Sequence, residues 1–170
     1  NGWQLSGATS AYTGAPFTVL SANINADLGE SQRPNRLGAG AQPDDPSKGR
    51  RGVDYPWFKL TDFEAAPRCE SVARCNPSPS GFTPFSFGNA GRNILDGMGT
   101  NFTSLALMKN LPLGERKVQF RCEAFNAFNR THFRLPVRNF NAVNGGRITA
   151  AATSGRGGPR IVQLTLKYEF

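Results

Sequence analysis

Toward the end of the chain hydrophobic and polar residues alternate one for one. Val162, Leu164, Leu166, Tyr168 and Phe170 hold the even positions, and Gln163, Thr165, Lys167 and Glu169 fill the odd ones between them. Successive side chains of a strand point to opposite faces, so this rhythm predicts a strand over about 159–170 with one wholly apolar face. The same alternation runs through 117–124 and predicts a strand over about 116–129; Val118, Phe120, Cys122 and Ala124 share one face and Gln119, Arg121 and Glu123 the other. A third strand is predicted over 101–111 from Thr103, Leu105 and Leu107, although Phe102 and Met108 blur its polar face. The short segment Pro112-Leu113-Gly114-Glu115-Arg116 joins these two as a hairpin. Trp3, Leu5 and Gly7 against Gln4, Ser6 and Ser10 predict a fourth strand over 2–13.

Two stretches, 15–99 and 130–158, lack this period and are rich in Pro, Gly, Asn, Asp and Ser. They read as long connections, the first with a short strand at 16–20 and the second with one near 147–150. The connections therefore run long, short, long. Connections of such length count against a compact soluble domain and suggest functional loops.

Composition agrees with the strands. The 19 Gly and 12 Pro would break the long amphipathic helices that an all-α bundle requires. No apolar run approaches the ~18 residues of a spanning helix, which leaves a spanning strand untouched, because such a strand alternates. The net charge of +8 raises the question of nucleic acid. The cations are scattered, however, with local concentrations only at Lys48-Gly49-Arg50-Arg51 and along 155–160, and no basic helix accompanies them. Solvated loop charge or contact with anionic lipid head groups is the better reading, and no nucleic-acid partner is expected.

A strand with one apolar face suits a soluble sandwich or a membrane barrel. Eleven residues at about 3.3 Å, tilted by about 45°, span roughly 25 Å, the height of a barrel's apolar band. Bacterial barrels place short turns in the periplasm and long loops outside. With 112–116 as the periplasmic turn, both long connections lie outside, and Tyr168 and Phe170 fall where an interfacial aromatic girdle belongs. The fold class read from the chain is all-β: an antiparallel transmembrane β-barrel segment of about four strands with long extracellular loops. Four strands cannot close even the smallest barrel of eight, and an open edge in lipid would leave backbone groups unpaired. The chain is therefore expected to be part of one larger, incomplete barrel domain.

The stretches Gly88-Asn89-Ala90-Gly91-Arg92-Asn93, Phe125-Asn126-Ala127-Phe128-Asn129 and the terminal strand resemble the C-terminal end of TonB-dependent outer-membrane receptors, in particular the Oar-like branch. Gly2-Trp3-Gln4-Leu5-Ser6-Gly7 and Gly14-Ala15-Pro16-Phe17-Thr18 fit that branch as well. Ala127 departs from the leucine usual in the family's Asn-Leu-Phe-Asn motif, and the stretch 68–80 has no counterpart. The resemblance implies a bacterial outer-membrane protein that imports a bulky nutrient. Its implied partners are the rest of its own barrel and a plug domain, the TonB complex through a segment outside this chain, outer-membrane lipid and the barrel-assembly machinery. That machinery would read Val162, Leu164, Leu166, Tyr168 and Phe170. A non-transporting adhesion or surface-structural barrel is the alternative, followed by a secreted soluble β-sandwich that binds acidic polymers.

Candidate chemistry is sparse. Cys69 and Cys75 are close enough in sequence for a small disulfide loop in an oxidising compartment. Cys122 sits on an apolar strand face, where a thiol acts as a small hydrophobe. His132, the sole histidine, reads as a solvated loop residue with no accompanying nucleophile motif. Asp44, Asp45 and Asp54 read as turn formers, since their spacing matches no calcium loop. Neither an enzyme, a metal nor a cofactor is expected. Tyr55, Trp57, Phe58 and Phe63 would form an external ligand platform or, in the plainer reading, pack the loop on itself.

Overall fold

The computed structural model describes residues 2–22, 32–66, 88–153 and 157–170. These form two compact units, one of residues 2–13, 99–133, 151–153 and 157–170, the other of 14–22, 32–66, 88–98 and 134–150.

The first unit is an antiparallel sheet of four long strands: β1 (Trp3–Tyr12), β6 (Thr100–Leu113), β7 (Arg116–Phe125) and β8 (Ile161–Glu169), in the order β1-β6-β7-β8. β1, β7 and β8 are 10, 10 and 9 residues long, close to the ~9–11 residues of a membrane-crossing strand. Leu113 pairs with Arg116 across the two-residue turn Gly114-Glu115. Gly114 takes φ of +65°, as the first central residue of a type II′ hairpin turn requires, and only glycine does so without strain. The remaining connections, β1 to β6 and β7 to β8, both leave from the opposite end of the sheet. β1 and β8 are its edges and do not pair with each other.

Three expected strands come out differently, the first being the short strand over 16–20, which spans only Pro16–Phe17. The strand predicted to reach residue 129 stops at Phe125, because Asn126 and Asn129 adopt φ of +49° and +50° and turn the chain. No strand forms over 147–150; an isolated bridge pairs Phe133 with Ala151 instead.

The second unit is built from the two long connections, which fold together. Within it β2 (Pro16–Phe17) pairs with β5 (Leu95–Asp96), and β3 (Asn35–Arg36) with β4 (Phe63–Glu64). Backbone bonds tie the connections to one another: Leu20 donates to Arg138 at 2.9 Å, Phe140 to Leu20 at 3.0 Å and Trp57 to Gly146 at 2.7 Å. The core is Phe17, Val19, Phe58 and Phe63, with Trp57, Leu60, Ile94, Leu95 and Phe140 against it. Phe58 lies 5.8 Å from both Phe17 and Phe63, centroid to centroid, edge-on to the latter, a favoured aromatic geometry. These few phenylalanines carry no period, which is why the stretch reads as structureless in sequence.

Candidate functional site

Residues directly paired across a sheet point to one face, so the register sorts the four strands into two surfaces. One row joins Gly7, Leu105, Ala124 and Val162; the next joins Leu5, Leu107, Cys122 and Leu164; a third joins Trp3, Lys109, Phe120 and Leu166. Leu111, Val118 and Tyr168 complete the face toward the turn. The pairing thus gathers the apolar half of every alternation onto a single surface, and that surface is not covered: Leu5 is 74% exposed, Leu166 73% and Leu164 66%. A contiguous leucine-rich face of this kind is unstable against water. The register puts two cations on it, Lys109, whose Nζ lies 4.7 Å from the Trp3 ring centroid, and Arg116 beside the turn, opposite Leu113. Trp3 on one edge strand and Tyr168 on the other both lie toward the turn end, where the Tyr168 and Phe170 rings are 6.2 Å apart.

The opposite face is polar. Arg121 donates to Glu123 at 2.6 Å, Gln119 to its cross-strand neighbour Asn110 at 2.9 Å, and Lys167 pairs with Glu169 at 2.6 Å. Phe102 and Met108, which blurred the sequence pattern, belong to this face; Phe102 lies 6.4 Å from the His132 ring. The two faces therefore differ in kind over the middle of the sheet, while away from the turn Thr9 and Thr103 bond to each other at 3.1 Å on the otherwise apolar face.

At the end away from the turn, Asn126 is buried and holds the chain beyond β7 in place. Its amide donates to the carbonyls of Arg130 and Gly158, both at 2.9 Å, and its carbonyl accepts from the Arg130 N–H at 3.0 Å. Asn129 accepts from the Arg160 N–H at 3.2 Å just before β8. Nothing in the alternation signals this clamp; the positive-φ propensity of asparagine is its trace in the sequence. Beside it a cavity of about 260 Å³ is lined by Tyr12, Gly99, Thr100, Asn101, Arg130, Thr131 and His132. His132 is only 6% exposed, which corrects the reading of a solvated loop histidine: its ring turns in toward Phe102, while Arg130 and Thr131 stay exposed.

The structure places the other candidate residues as follows. Tyr55, Phe58 and Phe63 are buried in the second unit, so they pack the connections on themselves rather than present a surface. Trp57 is half-buried, donates to the Asp96 carbonyl at 2.8 Å and carries Arg51 stacked 4.0 Å over its ring. The basic run is paired: Lys48 with Asp45 at 3.1 Å, Arg50 with Asp54 at 3.4 Å and Arg51 with Asp44 at 3.1 Å. Asp45 caps a short 3-10 turn through the Ser47 hydroxyl and N–H, and these bonds, with Lys48, hold its carboxyl below the usual range. Among the described residues no group of His, Cys, Asp or Glu is arranged to hold a metal ion. Val162, Leu164, Leu166 and Tyr168 lie on the apolar face, followed by Phe170. Cys122 lies there too, as a free thiol. Cys69 and Cys75 lie outside the described residues.

Comparison with known families now decides between a sandwich and a membrane barrel. Residues 1–163 match the outer membrane beta barrel domain family. The chain belongs to that family. The barrel domain sits in the outer membrane, and its exposed leucine-rich face is the one that meets lipid. Neither the curated proteins nor the solved structures contain a match to it. The polar face of the barrel domain, with its ion pairs and hydrogen-bonded amides, is then the lumen side, where water can solvate what the strands do not pair.

Proposed function

We propose that this barrel domain is wall and outer loops of a TonB-dependent receptor, of the Oar-like kind, that imports a bulky nutrient. The observation that supports this most is the asymmetry of its connections. One end of the sheet carries a two-residue turn, and the other sends out two long connections that fold into one unit with its own aromatic core. A barrel that only lined a pore would not need some hundred residues on one side. A receptor that captures a large solute outside does, because loops carry recognition while the scaffold stays rigid. The sequence motifs at 88–93 and 125–129 support the same reading.

The open edges of β1 and β8 call for further strands, since unpaired backbone in lipid costs several kcal/mol per group. In the receptor the polar face around Arg121 and Glu123 meets a plug domain, and Val162, Leu164, Leu166, Tyr168 and Phe170 serve the barrel-assembly machinery.

Cross-linking the protein in its native outer membrane, followed by capture of TonB, tests the transport reading. TonB recovered in a manner that depends on the inner-membrane proton gradient supports it. Quantitative capture of the barrel with no TonB would contradict it and favour a surface adhesion barrel.

A further inference from the structure

The lipid-facing surface is not uniformly apolar, and its charges are all of one sign. The register places Lys109 and Arg116 on it, both in the half toward the Gly114-Glu115 turn. None of the residues that it places on that face from β1 to β8 is acidic. The carboxylates of the sheet lie elsewhere. Glu123 and Glu169 are on the polar face, where Arg121 and Lys167 pair with them, and Glu115 is at the tip of the turn.

Position matters as much as sign. Rows on one face of a sheet repeat every ~7 Å along the strand, and at a barrel tilt of about 45° each row is roughly 5 Å of depth. Arg116 stands in the row beside the turn, opposite Leu113, and Lys109 two rows further in, opposite Phe120. Arg116 is thus at the membrane rim and Lys109 roughly 10 Å below it, where a four-carbon stem carries the ammonium back toward the head groups. A cation is costly at the midplane of a barrel and nearly free at the interface, so the pair marks the head-group level. Trp3 lies beside Lys109, its ring centroid 4.7 Å from Nζ, a contact that shields the ammonium from the chains without neutralising it. Trp3 is 57% exposed and Tyr168 48%, so the aromatic rings at this level are open to lipid. Arg116 is exposed, and among the described residues no hydrogen bond or ion pair engages its guanidinium.

From this we infer that the turn-end rim of the lipid face binds the phosphodiester head group of an anionic phospholipid, with Arg116 as its main ligand and Lys109 as a second cation beneath it. The planar donor fork of Arg116 suits two phosphate oxygens. Lys109 adds charge, and the Trp3 ring lies along the glycerol and upper acyl chain. Bacterial barrels keep their short turns in the periplasm, so this rim lies in the periplasmic leaflet, which is made of phospholipid. A zwitterionic head group brings its own cation against Arg116 and Lys109 and is the poorer match. The site rests on the assignment of the leucine-rich face to lipid and is independent of transport.

The test uses protein purified from outer membranes and reconstituted into phosphatidylcholine vesicles. A varied minor fraction of the lipid is brominated on its acyl chains, as phosphatidylglycerol in one series and as phosphatidylcholine in the other. Bromine quenches tryptophan on contact, and the Trp3 emission is the part missing from the Trp3→Phe variant. The dependence of quenching on brominated fraction should show phosphatidylglycerol preferred at Trp3 by about tenfold or more, as two interfacial cations provide. Most of that preference should vanish in ~1 M NaCl, where screening is nearly complete. Arg116→Gln and Lys109→Gln should each reduce it by about fivefold, whereas Lys167→Gln, on the polar face, should leave it within about twofold. Equal quenching by the two lipids, a preference that survives high salt, or a preference unchanged in Arg116→Gln overturns the site. An equal loss in Arg116→Gln and Lys167→Gln does so too, because the effect then belongs to net charge. A Trp3 that neither lipid quenches lies against protein, another subunit or a second copy, and this result also overturns the site.

Discussion

At the residue scale, the side chains that fix the structure are seldom the ones an alternating pattern points to. Asn126 makes three hydrogen bonds from a buried position in left-handed backbone. Asn126→Ala removes all three and keeps a Cβ where φ is positive, so it should destabilise the folded protein by about 2 kcal/mol. Urea unfolding in lipid vesicles would show this, and a midpoint within error of the wild type would refute the clamp. Asp62 acts similarly in the second unit. Its carboxylate accepts from the Gly40 N–H at 2.8 Å and pairs with Lys59 at 3.1 Å. These contacts, the Gly40 bond first, hold its pKa below the ordinary value. A depressed folded value means that the contribution is present above the unfolded pKa of about 4 and is lost as the pH falls through the folded value. Amide protection at Gly40 and Leu37 should therefore be held down to about pH 4 and fall as the solution is acidified further, and protection that stays constant on acidification until global unfolding would contradict it. His132 shows why single residues escape sequence reading. Its burial depends on a turn set by Asn126 and Asn129, several residues away, and no local pattern encodes that.

Elements were far more legible. Each long strand announces itself by period-two alternation, and the register then confirms which half is apolar: Leu107, Cys122 and Leu164 fall in one row although they come from three separate segments. The alternation misled only at its ends. The period-two rhythm lapses at Phe125-Asn126, and two asparagines with positive φ, Asn126 and Asn129, turn the chain where a longer strand was expected. The second unit was not legible, because its core of Phe17, Val19, Phe58 and Phe63, with Phe140 against it, is assembled from widely spaced positions. Tyr55, Phe58 and Phe63 looked equally suited to a ligand platform or a core; only burial separates these. Two predictions belong to β8 and the residue that follows it. Leu164→Arg, on the lipid face, should cost about 2–4 kcal/mol, whereas Thr165→Arg, one residue on and facing the lumen, should cost well under 1 kcal/mol. Vesicle unfolding titrations that rank the two equally would contradict the assignment of faces. Phe170→Ser should lower the amount of barrel inserted in the outer membrane several-fold if the terminal pattern is the assembly signal. Immunoblots of outer-membrane fractions measure this, and unchanged levels would remove that role.

For the whole molecule, the decisive physical fact is that the register leaves one apolar surface uncovered. In water that face would drive aggregation; against hydrocarbon it is the favoured state. The polar face needs a wet or protein-filled interior, and the edges of β1 and β8 need neighbouring strands. Membership of the outer membrane beta barrel domain family resolves all three demands at once. Site-directed nitroxide labels at positions 162–167, in protein reconstituted into lipid vesicles, test this most directly. Labels at 162, 164 and 166 should be relaxed by oxygen dissolved in the bilayer, and those at 163, 165 and 167 by a water-soluble nickel chelate. A profile without a two-residue period, or with its phases exchanged, would contradict the account.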